Sequence, residues 1–125
     1  MGAVFITFPG NCKKALTFYQ SCFGGIVKLE SFENGLHHFN ELVVSGSLLS
    51  EKIIIHGSDL VHNEGRKLGN SMAIFFGCNN PIERKELVTK LRKNKENFID
   101  KNYDNQNLIE LTDAFDVRWV LGVNN

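Results

Sequence analysis

No run of this 125-residue chain approaches the roughly 18 to 20 consecutive apolar residues that a membrane-spanning helix needs, so such a helix is excluded at the outset. An excess of positive charge is missing too, since 14 lysines and arginines stand against 14 aspartates and glutamates. Without a basic face there is nothing to displace counterions from a phosphate backbone or to draw the chain to an anionic lipid surface. Neither nucleic acid nor a membrane is an expected partner. The first residues, MGAVFITF, have no charged region ahead of the apolar one and no cleavage-site pattern, so no secretory leader is expected and a cytoplasmic protein is.

Cysteine is scarce, and Cys12, Cys22 and Cys78 form an odd set without a CxxC pair. They are expected to be small buried hydrophobes in a reducing compartment, in preference to a metal corner, a disulfide or a reactive thiol. Also absent are a G-x-G-x-x-G opening a helix, a phosphate-cradling glycine loop and a Ser-His-Asp arrangement, which excludes much of ordinary cofactor enzymology. One tryptophan and two tyrosines against ten phenylalanines suggest an apolar interior instead of a platform for stacking bases.

What is present is an ordered alternation of elements. Ala3 to Phe8 is apolar and β-branched enough for a buried strand, which Pro9-Gly10 ends. Asn11 is a good N-cap for a helix in which Cys12, Ala15, Leu16, Tyr19, Cys22 and Phe23 recur at three- and four-residue steps along one face. Gly24 can take the left-handed conformation that closes it. Ile26 to Glu33 reads as a strand, Asn34-Gly35 as a two-residue hairpin turn, Leu36 to Val44 as the returning strand, and Ser45-Gly46 as a second turn leading into Leu48 to His56.

A polar, glycine-punctuated stretch follows, and then the order repeats. Ser71 to Phe76 is a strand, and Asn80-Pro81-Ile82-Glu83 is a helix start that leads to about Arg92 and buries Leu87, Val88 and Leu91. Asn97 to Lys101, Leu108 to Thr112 and Val117 to Val123 are three more short strands, with Glu110 and Asp113 flanking the last turn and expected to be solvated. The chain thus writes β-α-β-β-β twice, a specific ordering that few architectures share. One α+β domain over residues 1–125 is expected, with module one at about 3–57, a linker at about 58–69 and module two at about 70–123.

The motifs now carry a resemblance. Phe8-Pro9-Gly10-Asn11-Cys12 through Ala15-Leu16, Phe18-Tyr19 and Phe23-Gly24-Gly25 is similar to the strand-turn-helix signature of the PhnB-like branch of the vicinal oxygen chelate superfamily. His38-Phe39-Asn40-Glu41-Leu42, Gly57-Ser58-Asp59 and Thr112-Asp113-Ala114-Phe115-Asp116-Val117-Arg118-Trp119 resemble its later hallmarks, and the resemblance covers nearly the whole chain. Asp116 departs from the family, which usually has glycine there; a turn needing positive φ tolerates aspartate at some cost. The resemblance implies the glyoxalase/bleomycin-resistance fold, in which each module curls a mixed sheet into half of a cup, commonly completed across a homodimer.

Metal-using members of that superfamily project histidines and glutamates into the cup from the first and last strands of each module. The nearest matching positions here are Val4, Ile54, Met72 and Val120, none of which can hold a divalent ion, and His56 is the lone donor on those strands. A site built instead from His37, His38, Glu41 and His56 is disfavoured, because His37 and His38 point to opposite faces of a strand. No cofactor and no metal are therefore expected.

The remaining candidates for chemistry are His38 and His56, which the Ser45-Gly46 turn would place on adjacent strands as an acid–base pair. His38, Asn40, His56 and Trp119 are the candidate ligand-binding residues, Trp119 by stacking on a flat ligand unless it fills the core or a dimer interface. The expected function is binding of a small organic molecule without metal chemistry. The alternatives are a lyase or dioxygenase with a displaced metal site, a metal-free histidine acid–base enzyme, or a structural remnant whose interior is filled by its own phenylalanines.

Overall fold

The computed structural model describes residues 2–33, 42–60, 66–93 and 106–124. Its elements run β1 (Val4–Phe8), α1 (Cys12–Phe23), β2 (Ile26–Glu33), β3 (Leu42–Leu49), β4 (Ile54–Asp59), β5 (Ile74–Cys78), α2 (Pro81–Leu91), β6 (Ile109–Thr112) and β7 (Arg118–Val123). The chain divides into two compact units, Met1–Lys67 and Leu68–Asn125. Among the described residues no helix is long and apolar enough to cross a membrane.

In the first unit the strand order is β1-β4-β3-β2, with β1 parallel to β4 and the other pairs antiparallel. In the second it is β5-β7-β6, with β5 parallel to β7 and β6 antiparallel to it. Each sheet is therefore mixed and built on the same plan. The repeat extends to single bonds: Leu60 N–H donates to the Phe8 carbonyl just past β4, and Asn124 N–H donates to the Cys78 carbonyl just past β7. That equivalence aligns β1 with β5, β4 with β7 and β3 with β6. The expected strand Asn97 to Lys101 lies outside the described residues.

Helix α1 packs on β2, β3 and β4 and buries the six residues the periodicity picks out. Burying each larger apolar side chain contributes about 1.5–3 kcal/mol, enough to hold a 12-residue helix that would be marginal alone. Gly24, at φ 76, closes it in the left-handed region, as expected. Helix α2 starts as its sequence demands, with Pro81 in the first turn and the Asn80 side chain accepting from Glu83 N–H at 2.8 Å. It buries Leu87, Val88 and Leu91, and also Arg84, whose guanidinium donates to the Asn107 carbonyl at 3.2 Å.

Several expectations need correction. Ser45-Gly46 is not a turn but the middle of β3, and Gly46 is there for clearance: a Cβ would run into the Lys28 carbonyl oxygen and Leu29 Cδ2. The turn lies between Leu49 and Ile54, where Ser50 N–H bonds the Ile53 carbonyl at 3.1 Å. Asn34-Gly35 and the residues up to Glu41 lie outside the described residues. Ser58-Asp59 belongs to β4, not to the linker expected at about 58–69, and β5 begins at Ile74, not at Ser71.

The most consequential correction concerns the start of α1. Asn11 makes no side-chain cap bond; the capping oxygen is Asp59 Oδ1, which accepts from Cys12 N–H at 2.8 Å from the end of β4. Asp59 Oδ2 also accepts from Val44 N–H at 3.2 Å, so one buried carboxylate joins the helix start to β3. A local pattern search looks for the cap next to the helix, and this one arrives from 47 residues away.

None of the three cysteines is in a disulfide and all are buried, as expected of small hydrophobes. Cys12 is fully enclosed, and burial, aided by the negative charge of Asp59, pushes its thiol from 9.0 up to about 11. It is therefore expected to resist a thiol reagent at pH 8 in the folded protein and to react once the chain is denatured. Because the unfolded thiol ionises at the lower pH, this contribution to stability is complete below pH 9 and is lost between 9 and about 11. The loss amounts to about 2–3 kcal/mol, and denaturant titrations across that range should show it in the wild type and not in Cys12→Ala.

Candidate functional site

Side chains alternate across a strand, so the helix-covered face of the first sheet leaves its opposite face free for other work. Phe8, Leu48, Ile55 and Asp59 lie on the α1 side and are buried. Phe5 and Thr7 of β1, Ile54, His56 and Ser58 of β4, Ser45, Ser47 and Leu49 of β3, and Lys28 and Glu30 of β2 take the open side.

The register arranges these residues in two rows. Phe5, His56, Ser47 and Lys28 are direct partners from strand to strand, forming one line across all four strands. Thr7, Ser58, Ser45 and Glu30 form the next. Along the first of them lies an open pocket of about 510 Å³, lined by Phe5, Leu49, His56, Ser47, Lys28 and Glu30 together with Ser45, Gly46 and Gly57.

Within the first row Ser47 Oγ and His56 Nδ1 are 2.6 Å apart, a short hydrogen bond whose donor depends on the imidazole tautomer. Lys28 and Glu30 both line the pocket, and no ion pair of either occurs among the described residues. The pocket thus presents an aromatic edge, a hydroxyl–imidazole pair, one cation and one carboxylate.

The second sheet provides an internal comparison. Its row equivalent to Phe5–His56–Ser47 is Phe75–Val120–Glu110. Phe5 and Phe75 are both 63% exposed, whereas valine replaces the imidazole and Glu110 is engaged by the Arg118 guanidinium. Arg118 also bonds the Asn70 carbonyl. The two copies of one plan therefore differ where chemistry is possible, and the hydroxyl–imidazole pair belongs to the first.

Of the residues expected from the sequence, His56 is in this pocket. His38 and Asn40 lie outside the described residues, as do His37 and Glu41. With Ser45-Gly46 inside β3 and not at a turn, the residue across from His56 is Ser47. Trp119 is fully buried in the second unit, where its indole N–H donates to Asp113 Oδ2 at 2.8 Å, so it presents no surface to a ligand. Asp113, expected in solvent, is also fully buried and accepts from Phe115 N–H at 2.8 Å and Val117 N–H at 3.2 Å. Phe5, Lys28, Glu30, Ser45 and Ser47 were missed. The alternation of Lys28 with Glu30 was visible in the sequence, but reading Ser45-Gly46 as a turn broke the strand that would have joined them to His56.

No family model and no curated protein sequence matches the chain. Solved structures do match it over nearly its whole length. Protein PA1353 from Pseudomonas aeruginosa superposes with a TM-score of 0.72 at 18% identity, covering 99% of this chain and 98% of that one. The chain has the glyoxalase/bleomycin-resistance fold. The PhnB protein from Bacillus cereus superposes with a TM-score of 0.65 at 19% identity over 98% of both chains. The fosfomycin resistance protein FosX from Listeria monocytogenes, in complex with Mn(II) and sulfate, gives 0.63 at 13% identity, covering 100% of this chain and 92% of that one. That fold is the one the sequence resemblance implies.

Among the described residues, those on the open side do not fit a divalent ion of the kind present in the FosX complex. Val4, taken from the sequence as a ligand position, lies on the α1 side of β1, and Met72 precedes β5. The open-side residues of the first and last strands are instead Phe5, Thr7, Ile54, His56 and Ser58 in one unit and Phe75, Arg118 and Val120 in the other. One imidazole among them cannot supply the three or so nitrogen and oxygen donors such an ion requires. No group of three or more histidine, cysteine, aspartate or glutamate side chains that could hold a metal occurs among the described residues.

Proposed function

We propose that the protein is a PhnB-like binder of a small organic molecule, which it holds on the open face of its first sheet without metal chemistry. The observation that carries this reading is the line Phe5–His56–Ser47–Lys28 along a pocket of about 510 Å³. Ligand pockets are commonly a few hundred cubic ångströms of mostly apolar wall with a small number of placed polar groups, which is the make-up found here. The composition and the three buried cysteines, none of them in a disulfide, are in keeping with a cytoplasmic protein, and a homodimer is the assembly the superfamily resemblance implies.

A thermal-shift screen with small aromatic and antibiotic compounds tests the reading. A compound present at ten times its Kd stabilises the folded state by about 1.4 kcal/mol, a rise in Tm of roughly 4–6 °C. The rise should disappear in a Phe5→Ala, His56→Ala double variant that retains the wild-type fold. A screen in which no compound shifts Tm, or in which the double variant responds like the wild type, overturns it.

One observation favours a second reading, metal-free acid–base catalysis. His56 bonds a hydroxyl at 2.6 Å through one ring nitrogen, leaving the other to exchange a proton with a bound molecule. Turnover abolished by His56→Gln while ligand binding persists would support catalysis over sequestration.

A further inference from the structure

We infer that the molecule taken by this pocket is a small zwitterion with an apolar side group, of the amino-acid type. The inference rests on the binding reading above and concerns the charge pattern of the ligand.

Lys28 and Glu30 are two residues apart on β2, so both point to the open side with their Cβ atoms about 7 Å apart. Their rows differ in what accompanies them. Lys28 ends the row holding Ser47 and His56, and Glu30 ends the row holding Ser45, Ser58 and Thr7. The first row is a site for a carboxylate, with an ammonium and, when His56 Nδ1–H donates to Ser47 Oγ, a hydroxyl proton free to donate to it. The second is a site for an ammonium, with a carboxylate and hydroxyl oxygens as acceptors.

Two opposite charges that line one pocket and are not paired with each other suit a molecule carrying both. An acid alone would leave Glu30 close to its own charge, and an amine alone would leave Lys28 so. A zwitterion meets each charge with its opposite and adds no net charge to the site. Both side chains are long and exposed, so they can close on groups about 3 Å apart while staying solvated until a ligand arrives. Phe5, 63% exposed at the far end of the first row, and Leu49 supply the apolar surface for the ligand's side group.

The test is calorimetric titration of the whole chain with three probes of one shape: L-phenylalanine, 3-phenylpropanoate, which lacks the amine, and phenethylamine, which lacks the acid. Phenylalanine should bind at least ten-fold more tightly than either. Lys28→Met should weaken phenylalanine at least ten-fold and leave phenethylamine no weaker. Glu30→Gln should weaken phenylalanine comparably and leave 3-phenylpropanoate no weaker. Because both residues are exposed, neither change should alter Tm, which keeps a loss of affinity separate from a loss of fold. Equal affinities for the three probes overturn the zwitterion inference and leave the binding reading intact. Binding of none of them also overturns it, and the binding reading then stands or falls on the thermal-shift screen.

Discussion

Replacing Asp113 with alanine is expected to lower the unfolding free energy by about 3–5 kcal/mol, the largest single-site effect foreseen for this chain. The carboxylate has no exposed surface and accepts from Phe115 N–H, Val117 N–H and the Trp119 indole N–H. Removing it strands those donors inside the protein, and each unsatisfied buried group costs about 1–3 kcal/mol. The same residue shapes the turn into β7: Asp113 N–H bonds the Val117 carbonyl at 2.9 Å, and Asp116, at φ 62, is the positive-φ non-glycine residue among those described. Asp113→Asn should cost less, because one amide oxygen can still serve the two backbone donors while its NH₂ faces the indole. Trp119→Phe in the Asp113→Ala background should cost less than in the wild type, since the shared bond is already gone. Urea titrations of the four proteins check this. Additive effects of the two substitutions would show that the indole bond does not couple them.

Asp59→Ala is expected to cost about 2–4 kcal/mol. Its carboxylate caps α1 through Cys12 N–H and also holds Val44 N–H, so the loss affects the helix start and the edge of β3 together. A further readout separates this role from mere packing. The Asp59 charge helps raise the Cys12 thiol, so the folded thiol should ionise at a lower pH in Asp59→Ala than in the wild type. Following thiolate absorbance against pH measures it, and an unchanged titration would show that burial alone sets the thiol. Asp59→Asn should keep the cap, because the amide oxygen can still accept from Cys12 N–H, yet lose the bond to Val44.

The second unit shows why this cap escaped local pattern reading. There Asn80 supplies the capping oxygen from the residue adjoining α2, and Val123 occupies the place equivalent to Asp59. Asn80-Pro81-Ile82-Glu83 is a short-range pattern and was legible. In the first unit Asn11 stands where a local cap would be, but the carboxylate at the end of β4 takes the bond. Ser45-Gly46 misled for a related reason. Glycine and serine together favour turns, but in β3 the glycine answers to the close approach of β2, a cause that exists only once the strands are paired.

Much of the fold could be read without coordinates. Helix faces follow a 3.6-residue period and strand faces a 2-residue period, so the buried sides of α1 and α2 were legible as patterns, as were the β-α-β-β-β order of the first unit and its recurrence through the described elements of the second. The residue types of β1, β4, β5 and β7 were legible too, since they are read directly from the sequence. What only the tertiary structure decided was which residues share a row. Register depends on hydrogen bonds between strands far apart in the chain, and a slip of one residue exchanges the two faces. Pairing β1 with β4 and β3 with β2 brought Phe5, His56, Ser47 and Lys28 into one line, and placed His56 against a serine. The same long-range packing enclosed Asp59, Asp113 and Trp119, because a carboxylate can leave water only where distant backbone and side-chain donors converge on it.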